Sequence, residues 1–246
     1  MMKEYNSYIF DLYGTLVDIL TDEEDPLFWE AFKDVLSNEG VHYRADELKE
    51  TYLRLCALET ERMQKETGIN EVEIDLTEIF RALLHSADEK TVLKVAVAFR
   101  KLSCKKLRVY DGVYDLLNTL REKGKKVFLL SNAQECFTVG ELEECQLTEY
   151  FDAIYISSLA HVRKPYPGFL MKLLEEQKAD AADCVFIGND IRSDMMSADA
   201  FAMDSIYLNT FHYSMEKTER MLKKLHHPEN VRLIMDGDIH HMMREE

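Results

Sequence analysis

The chain has 246 residues, 46% of them apolar, with 30 basic against 46 acidic side chains and a formal charge of −16. That is enough apolar material for a real core, and a length suited to one catalytic domain with an insertion or to two small domains. The acidic balance argues against nucleic acid and against anionic membranes as partners, and an anionic substrate would need local positive charge.

Cys56, Cys104, Cys136, Cys145 and Cys184 form no Cys-x-x-Cys pair, which points to reduced thiols and a cytoplasmic location. The start of the chain has no apolar signal region. No apolar run approaches about 18 residues, so no membrane span is expected.

Residues 8–12 read as a first strand. From about 20 to 105 the pattern is almost wholly helical. Pro26 follows Asp22-Glu23-Glu24-Asp25, a helix start with negative charge at its amino end. Residues 45–66 carry Leu48, Tyr52, Leu55, Leu58 and Met63 near a 3.6 period, with Gly68 to end the helix. Stripes at 78–84 and 91–99 follow; the second is valine-rich but has helical length and spacing.

After Tyr110-Asp111-Gly112, helix and strand alternate: helix 113–123, strand 127–130, helix 136–145, strand 153–157, helix 167–177, strand 184–187, helix 194–201 and strand 205–208. A charged helix near 214–226 and a run at 231–235, strand or interface segment, complete the chain. The alternation predicts a three-layer α/β core around a mainly parallel sheet with right-handed crossovers.

Four segments carry candidate chemistry. The first apolar run ends in Asp11, followed by Tyr13, Gly14 and Thr15; a carboxylate at a strand end can act as a covalent nucleophile, or simply close a turn. The run at 127–130 ends in Ser131-Asn132, where a hydroxyl can donate to a substrate oxyanion or cap the next helix. Lys164 stands in Arg163-Lys164-Pro165-Tyr166-Pro167, placed to hold an ammonium against Asp11 unless it is solvated. The run at 184–187 ends in Gly188-Asn189-Asp190, with Asp194 four residues beyond Asp190; these acids suit an oxygen-only Mg²⁺ site or cap a helix.

In this order the segments resemble the haloacid dehalogenase superfamily of phosphatases, dehalogenases and related hydrolases. The resemblance implies a Rossmann-like core at residues 1–16 and 106–246 and an all-helical cap at 17–105 that closes over the site. It implies Asp11 as nucleophile with Lys164 as its catalytic partner. Ser131, Asn132, Thr15 and Tyr13 become substrate contacts, and Asp11, Tyr13, Asp190 and Asp194 the Mg²⁺ set, with Asp190 the preferred acid.

Two departures matter. The superfamily's phosphatases place an acid two residues after the nucleophile, where this chain has Tyr13, and a phenol is a poor proton donor at neutral pH. The Asp-x-Tyr-Gly-Thr form looks like the 2-haloacid dehalogenase branch, whose halide leaves without a proton. Against that branch, Gly188-Asn189-Asp190 looks more like the metal-dependent members, and Arg44, Arg54 and Arg62 offer no clear partner for a substrate carboxylate.

The leading expectation is a Mg²⁺-dependent phosphatase of small phosphorylated metabolites with good leaving groups. The alternatives are a metal-independent 2-haloacid dehalogenase and a non-catalytic metabolite-binding protein on this fold. Glu141, Glu143 and Glu144 read as a charged face, and His226-His227 and His240-His241 as solvated tail residues.

Overall fold

The structure, a computed structural model, describes residues 4–85 and 87–243. Strand β1 (Ser7–Phe10) leads through a turn into β2 (Val17–Thr21), and helices α1 (Pro26–Asn38), α2 (Ala45–Thr67), α3 (Leu76–Leu83) and α4 (Glu89–Ser103) follow. The chain returns along β3 (Cys104–Val109), which pairs antiparallel with β2, Val17 opposite Val109. The first residues of the expected all-helical insert are therefore a strand. Both crossings between insert and core are extended, and pairing them satisfies backbone groups that each alone would leave open.

Three of the four insert helices start where a short acid caps them. Asp25, Asp75 and Asp88 accept from Leu27, Thr77 and Thr91 N–H groups at the starts of α1, α3 and α4. Gly68 closes α2 at φ 70°, a left-handed conformation that costs glycine little. The four helices bury Phe28, Trp29, Phe32, Tyr52, Phe80 and Phe99 against one another.

The second half follows as α5 (Val113–Glu122), β4 (Lys126–Ser131), α6 (Glu135–Glu144), β5 (Ala153–Ile156), α7 (Ser157–Ala160), α8 (Pro167–Gln177) and β6 (Cys184–Gly188). A single π-turn over Ile191–Met195 then leads into the short α9 (Met196–Asp199), where the sequence pattern suggested one helix. Strand β7 (Asp204–Leu208), α10 (Met215–Leu222) and β8 (Val231–Ile234) complete the order, so the run near 231–235 is an edge strand.

The six strands lie in the order β5-β4-β1-β6-β7-β8, and every pair is parallel. Leu116, Leu117, Leu129 and Ile187 fill one face of the sheet, and Ile9, Phe128, Phe169 and Phe186 the other. This is a three-layer Rossmann-like α/β fold. It places the carboxyl ends of β4, β1 and β6 side by side, and with them Ser131, Asp11 and Gly188.

The insert is fastened to the core at a seam away from the β2–β3 neck. Val72 bridges Val162, with Arg163 N donating to Glu71 O at 2.9 Å and Glu73 N to His161 O at 3.1 Å. The Gln134 amide accepts from Leu76 N and donates to Ile74 O, both at 2.9 Å. Phe137 of α6 enters the insert's own core, 6.3 Å from the Phe99 ring and 6.4 Å from Phe80. A buried phenylalanine contributes about 1.5–3 kcal/mol and each net hydrogen bond about 1 kcal/mol, so parting this seam costs on the order of 5 kcal/mol. No helix among the described residues is long and apolar enough to cross a membrane.

Candidate active site

Asp11 is the residue after β1, and its N–H still donates to Ile187 O of β6 at 2.9 Å. The sheet thus fixes its backbone while the side chain leaves the strand end. One carboxylate oxygen accepts from Thr15 Oγ1 at 3.2 Å, and the other meets Lys164 Nζ at 2.7 Å. The same ammonium donates to Leu130 O and reaches Asp194 Oδ1, each at 2.7 Å. Asp194 can come so close because Gly188 has no side chain: a Cβ there would stand 2.2 Å from Asp194 Oδ2.

Two buried carboxylates therefore share one buried ammonium. Burial raises the Asp11 pKa, Lys164 opposes that, Asp194 adds to it, and the outcome is a carboxyl pushed up to about 6. Burial works against the charged form of Lys164, but Asp11 and Asp194 outweigh it and hold its pKa above the ordinary lysine value.

Ser131 ends β4 beside Leu130. Its hydroxyl is fully buried and has no hydrogen-bond partner among the described residues. An unpaired buried hydroxyl costs about 1–3 kcal/mol, which a ligand oxygen would recover. The Asn132 side chain bonds the main chain of Lys164: Oδ1 accepts from its N–H at 2.7 Å and Nδ2 donates to its carbonyl at 3.0 Å.

The acidic segment divides its labour. The Asp190 carboxylate caps the π-turn by accepting from Arg192 N at 2.8 Å, while Asp194 is the acid that joins Asp11 and Lys164. Asn189 is buried, and its Nδ2 donates to Thr210 Oγ1 at 3.2 Å. Thr210 gives its single hydroxyl proton to Gly14 O at 2.6 Å, so it must accept from the amide, which fixes the amide orientation and turns Asn189 Oδ1 away from Thr210. Gly14, at φ 83°, is required here: a Cβ would lie 1.9 Å from Asn189 Nδ2.

Tyr13 is directed elsewhere. Its phenol donates to Glu141 Oε2 and lies 3.1 Å from Thr138 Oγ1, both on α6. Arg100, from α4, pairs with Glu141 at 2.6 Å and holds its guanidinium 5.5 Å from the Tyr13 ring centroid. Burial, with Glu141 adding to it, raises the phenol's pKa far above its ordinary value.

Glu141 does not belong to one charged face with Glu143 and Glu144. It is buried, whereas Glu143 and Glu144 are exposed. The signal was its spacing four after Phe137 and three after Thr138, on the side of α6 that ends at Leu142. Arg100 gave no such signal, because its partner comes from another element.

The remaining candidates lie outside the site. Arg44 pairs with Asp46, Arg62 with Glu59 and Glu66, and these and Arg54 are exposed on or beside α2. His226, His240 and His241 pair with Asp199, Asp238 and Asp236. No group of three or more His, Cys, Asp or Glu side chains with metal-holding geometry occurs among the described residues.

Over residues 8–208 the chain matches the haloacid dehalogenase-like hydrolase family, and it belongs to that family. It is 24% identical to the pyrimidine 5'-nucleotidase PynA of Streptococcus pneumoniae over 216 residues, 85% of each chain. Among solved structures it is similar to a HAD phosphatase from Thermococcus onnurineus, with a TM-score of 0.54 and 18% identity over 83% of this chain and 86% of that one. It is similar also to the L-2-haloacid dehalogenase of Xanthobacter autotrophicus, with a TM-score of 0.51 and 20% identity over 89% and 83%. At these identities the structural likenesses speak for the fold.

Proposed function

Taking the chain as a haloacid dehalogenase-like hydrolase, we propose that it is a Mg²⁺-dependent phosphatase of small phosphorylated metabolites with good leaving groups, acting in the cytoplasm. The observation that carries this reading is the buried hydroxyl of Ser131, without a hydrogen-bond partner among the described residues, beside the Lys164–Asp11 pair. A phosphoryl group lying against Asp11 would supply the oxygen that Ser131 lacks. The nucleotidase relative points the same way, toward phosphate esters rather than halides.

In the proposed reaction an Asp11 carboxylate oxygen attacks phosphorus, and the bond to the leaving oxygen breaks with its electron pair. Lys164 and Ser131 hold charge on the phosphoryl oxygens. Water then attacks the phosphorus of the aspartyl phosphate, the bond from phosphorus to the Asp11 oxygen breaks with its electron pair to restore the carboxylate, and inorganic phosphate leaves, one proton of the water passing to solvent. Thr15 keeps Asp11 oriented through its hydroxyl. The helical insert, sealed by the seam at Val72 and Phe137, excludes bulk water.

Tyr13 gives the leaving group no proton in this scheme, because its phenol is committed to Glu141. The leaving group must then depart as a stable anion, which favours acyl and aryl phosphates over alkyl phosphates.

The metal fits the donors present. The Asp11 and Asp194 carboxylates, Asn189 Oδ1 and the Tyr13 main-chain carbonyl are all oxygen, as Mg²⁺ prefers, with water completing its shell. Bound there, the cation would neutralise charge on the phosphoryl oxygens. Asp190 is the weaker candidate, since its carboxylate caps the turn at Arg192 N whereas Asp194 is the acid joined to Asp11 through Lys164.

The test is a panel of acetyl phosphate, p-nitrophenyl phosphate and an alkyl phosphate, with and without Mg²⁺, against an Asp11→Asn control. Metal-dependent turnover in that order of preference is expected; no turnover, or turnover indifferent to metal, counts against the proposal. Tyr13 keeps a second reading in view, metal-independent dehalogenation. Chloride release from 2-chloropropionate without metal, above the Asp11→Asn control, would favour it; the exposed arginines of α2 weigh against it.

A further inference from the structure

Lys164 occupies a loop between Arg163 and Pro165, outside helix and strand, and Pro165 has no N–H to anchor the segment. Yet its ammonium meets Asp11 Oδ1, Asp194 Oδ1 and Leu130 O, all at 2.7 Å. A lysine side chain has a long flexible stem, so three simultaneous contacts demand that its backbone stand still. The sheet does not provide that restraint, because no strand pairs with this residue.

One side chain takes the place of a strand. Asn132 accepts from the Lys164 N–H at 2.7 Å and donates to the Lys164 carbonyl at 3.0 Å, holding both main-chain groups of the lysine from 32 residues away. Asn132 is itself carried by the end of β4, directly after Ser131 and two residues after Leu130, whose carbonyl the ammonium reaches. The loop's other side is held by the insert, through Arg163 N to Glu71 O at 2.9 Å.

We propose that Asn132 is a positioning residue for Lys164, and that its amide sets the place of the ammonium by fixing the lysine's peptide groups. An amide suits this task because it offers a donor and an acceptor in one plane, matching the N–H and C=O of a single residue. A carboxylate would face the Lys164 carbonyl with no proton to give, and an alkyl chain would offer neither bond. The assignment depends on the proposed phosphatase reaction only in its kinetic arm.

The test begins without substrate. In protein labelled with ¹⁵N-lysine, a buried ammonium with three acceptors exchanges its protons slowly and gives a resolved signal, identified by its loss in Lys164→Arg. Asn132→Leu keeps the volume and removes both bonds, and Asn132→Ala is the second variant should the first fail to fold. In the folded variants the signal should broaden or vanish. With acetyl phosphate, kcat should fall about tenfold or more while KM changes less than about threefold, the pattern of an interaction felt in the transition state.

An unchanged ammonium signal with a raised KM overturns the proposal in favour of a substrate contact. An unchanged signal with only a lowered Tm overturns it in favour of a purely structural role. A wild-type protein lacking the signal overturns it as well, since there is then no ordered ammonium to position. If no phosphate is turned over by any form, the reaction reading fails and the lysine signal still decides the role of Asn132.

Discussion

Replacing Lys164 by methionine tests the electrostatic account most directly, because it keeps the stem and removes only the charge. The wild-type ammonium is almost fully buried and lies 2.7 Å from each of Asp11 and Asp194, whose side chains are also buried. Removing one member of a buried ionic group leaves the others uncompensated, at a cost of about 3–5 kcal/mol.

The cost should depend on pH in a defined direction. Burial already raises Asp11 to about 6. A carboxyl whose folded pKa exceeds its unfolded value gives stability that is present at low pH and lost as pH rises through that window. Without the ammonium the folded value moves further up, and each added unit is worth about 1.4 kcal/mol. At about pH 5 the variant's Asp11 keeps its proton and no longer repels Asp194, so the loss there should be about 2 kcal/mol smaller than at about pH 8.

Urea unfolding of both proteins at the two pH values, with Lys164→Arg as a charged control, measures this difference. A loss below about 1 kcal/mol, or one equal at both pH values, would refute the picture of two buried carboxylates balanced by one ammonium.

Asp194→Asn should abolish most activity by removing a partner of Lys164, whereas Asp190→Asn should leave kcat within about threefold, because asparagine caps a helical turn as well as aspartate does; steady-state kinetics of the two variants on acetyl phosphate decide this, and equal losses would contradict it. Glu141→Gln and Arg100→Met should each lower stability by about 1–3 kcal/mol and the double variant by clearly less than their sum, since each single change strands a partner, the half-buried Arg100 or the buried Glu141; additive losses in urea unfolding would show that the pair is not coupled. Tyr13→Phe should leave kcat on acetyl phosphate within about threefold while lowering stability by about 1 kcal/mol, because the phenol is bonded to Glu141 and gives the leaving group no proton; a tenfold or larger loss of kcat in the folded variant would contradict the scheme.

Much of the architecture was legible because it is written locally. Apolar runs of strand length ending in Asp11, Ser131 and Gly188 announce the carboxyl ends of β1, β4 and β6, and a parallel sheet has to bring such ends to one edge. The acidic run ending in Asp25 and the left-handed Gly68 likewise mark helix boundaries within a few residues of themselves.

What tertiary structure alone decided was the direction of each polar side chain. Asp190 and Asp194 are four residues apart, and only the π-turn, with Gly188 leaving room, sends one to Arg192 N and the other to Lys164. Asn132 meets Lys164 across 32 residues, and Tyr13 meets Glu141 and Arg100 from separate elements. Hydrogen bonds and ion pairs are short-ranged and directional. Hydrophobic periodicity records which face of an element is buried, but not which distant group a buried polar atom will meet there.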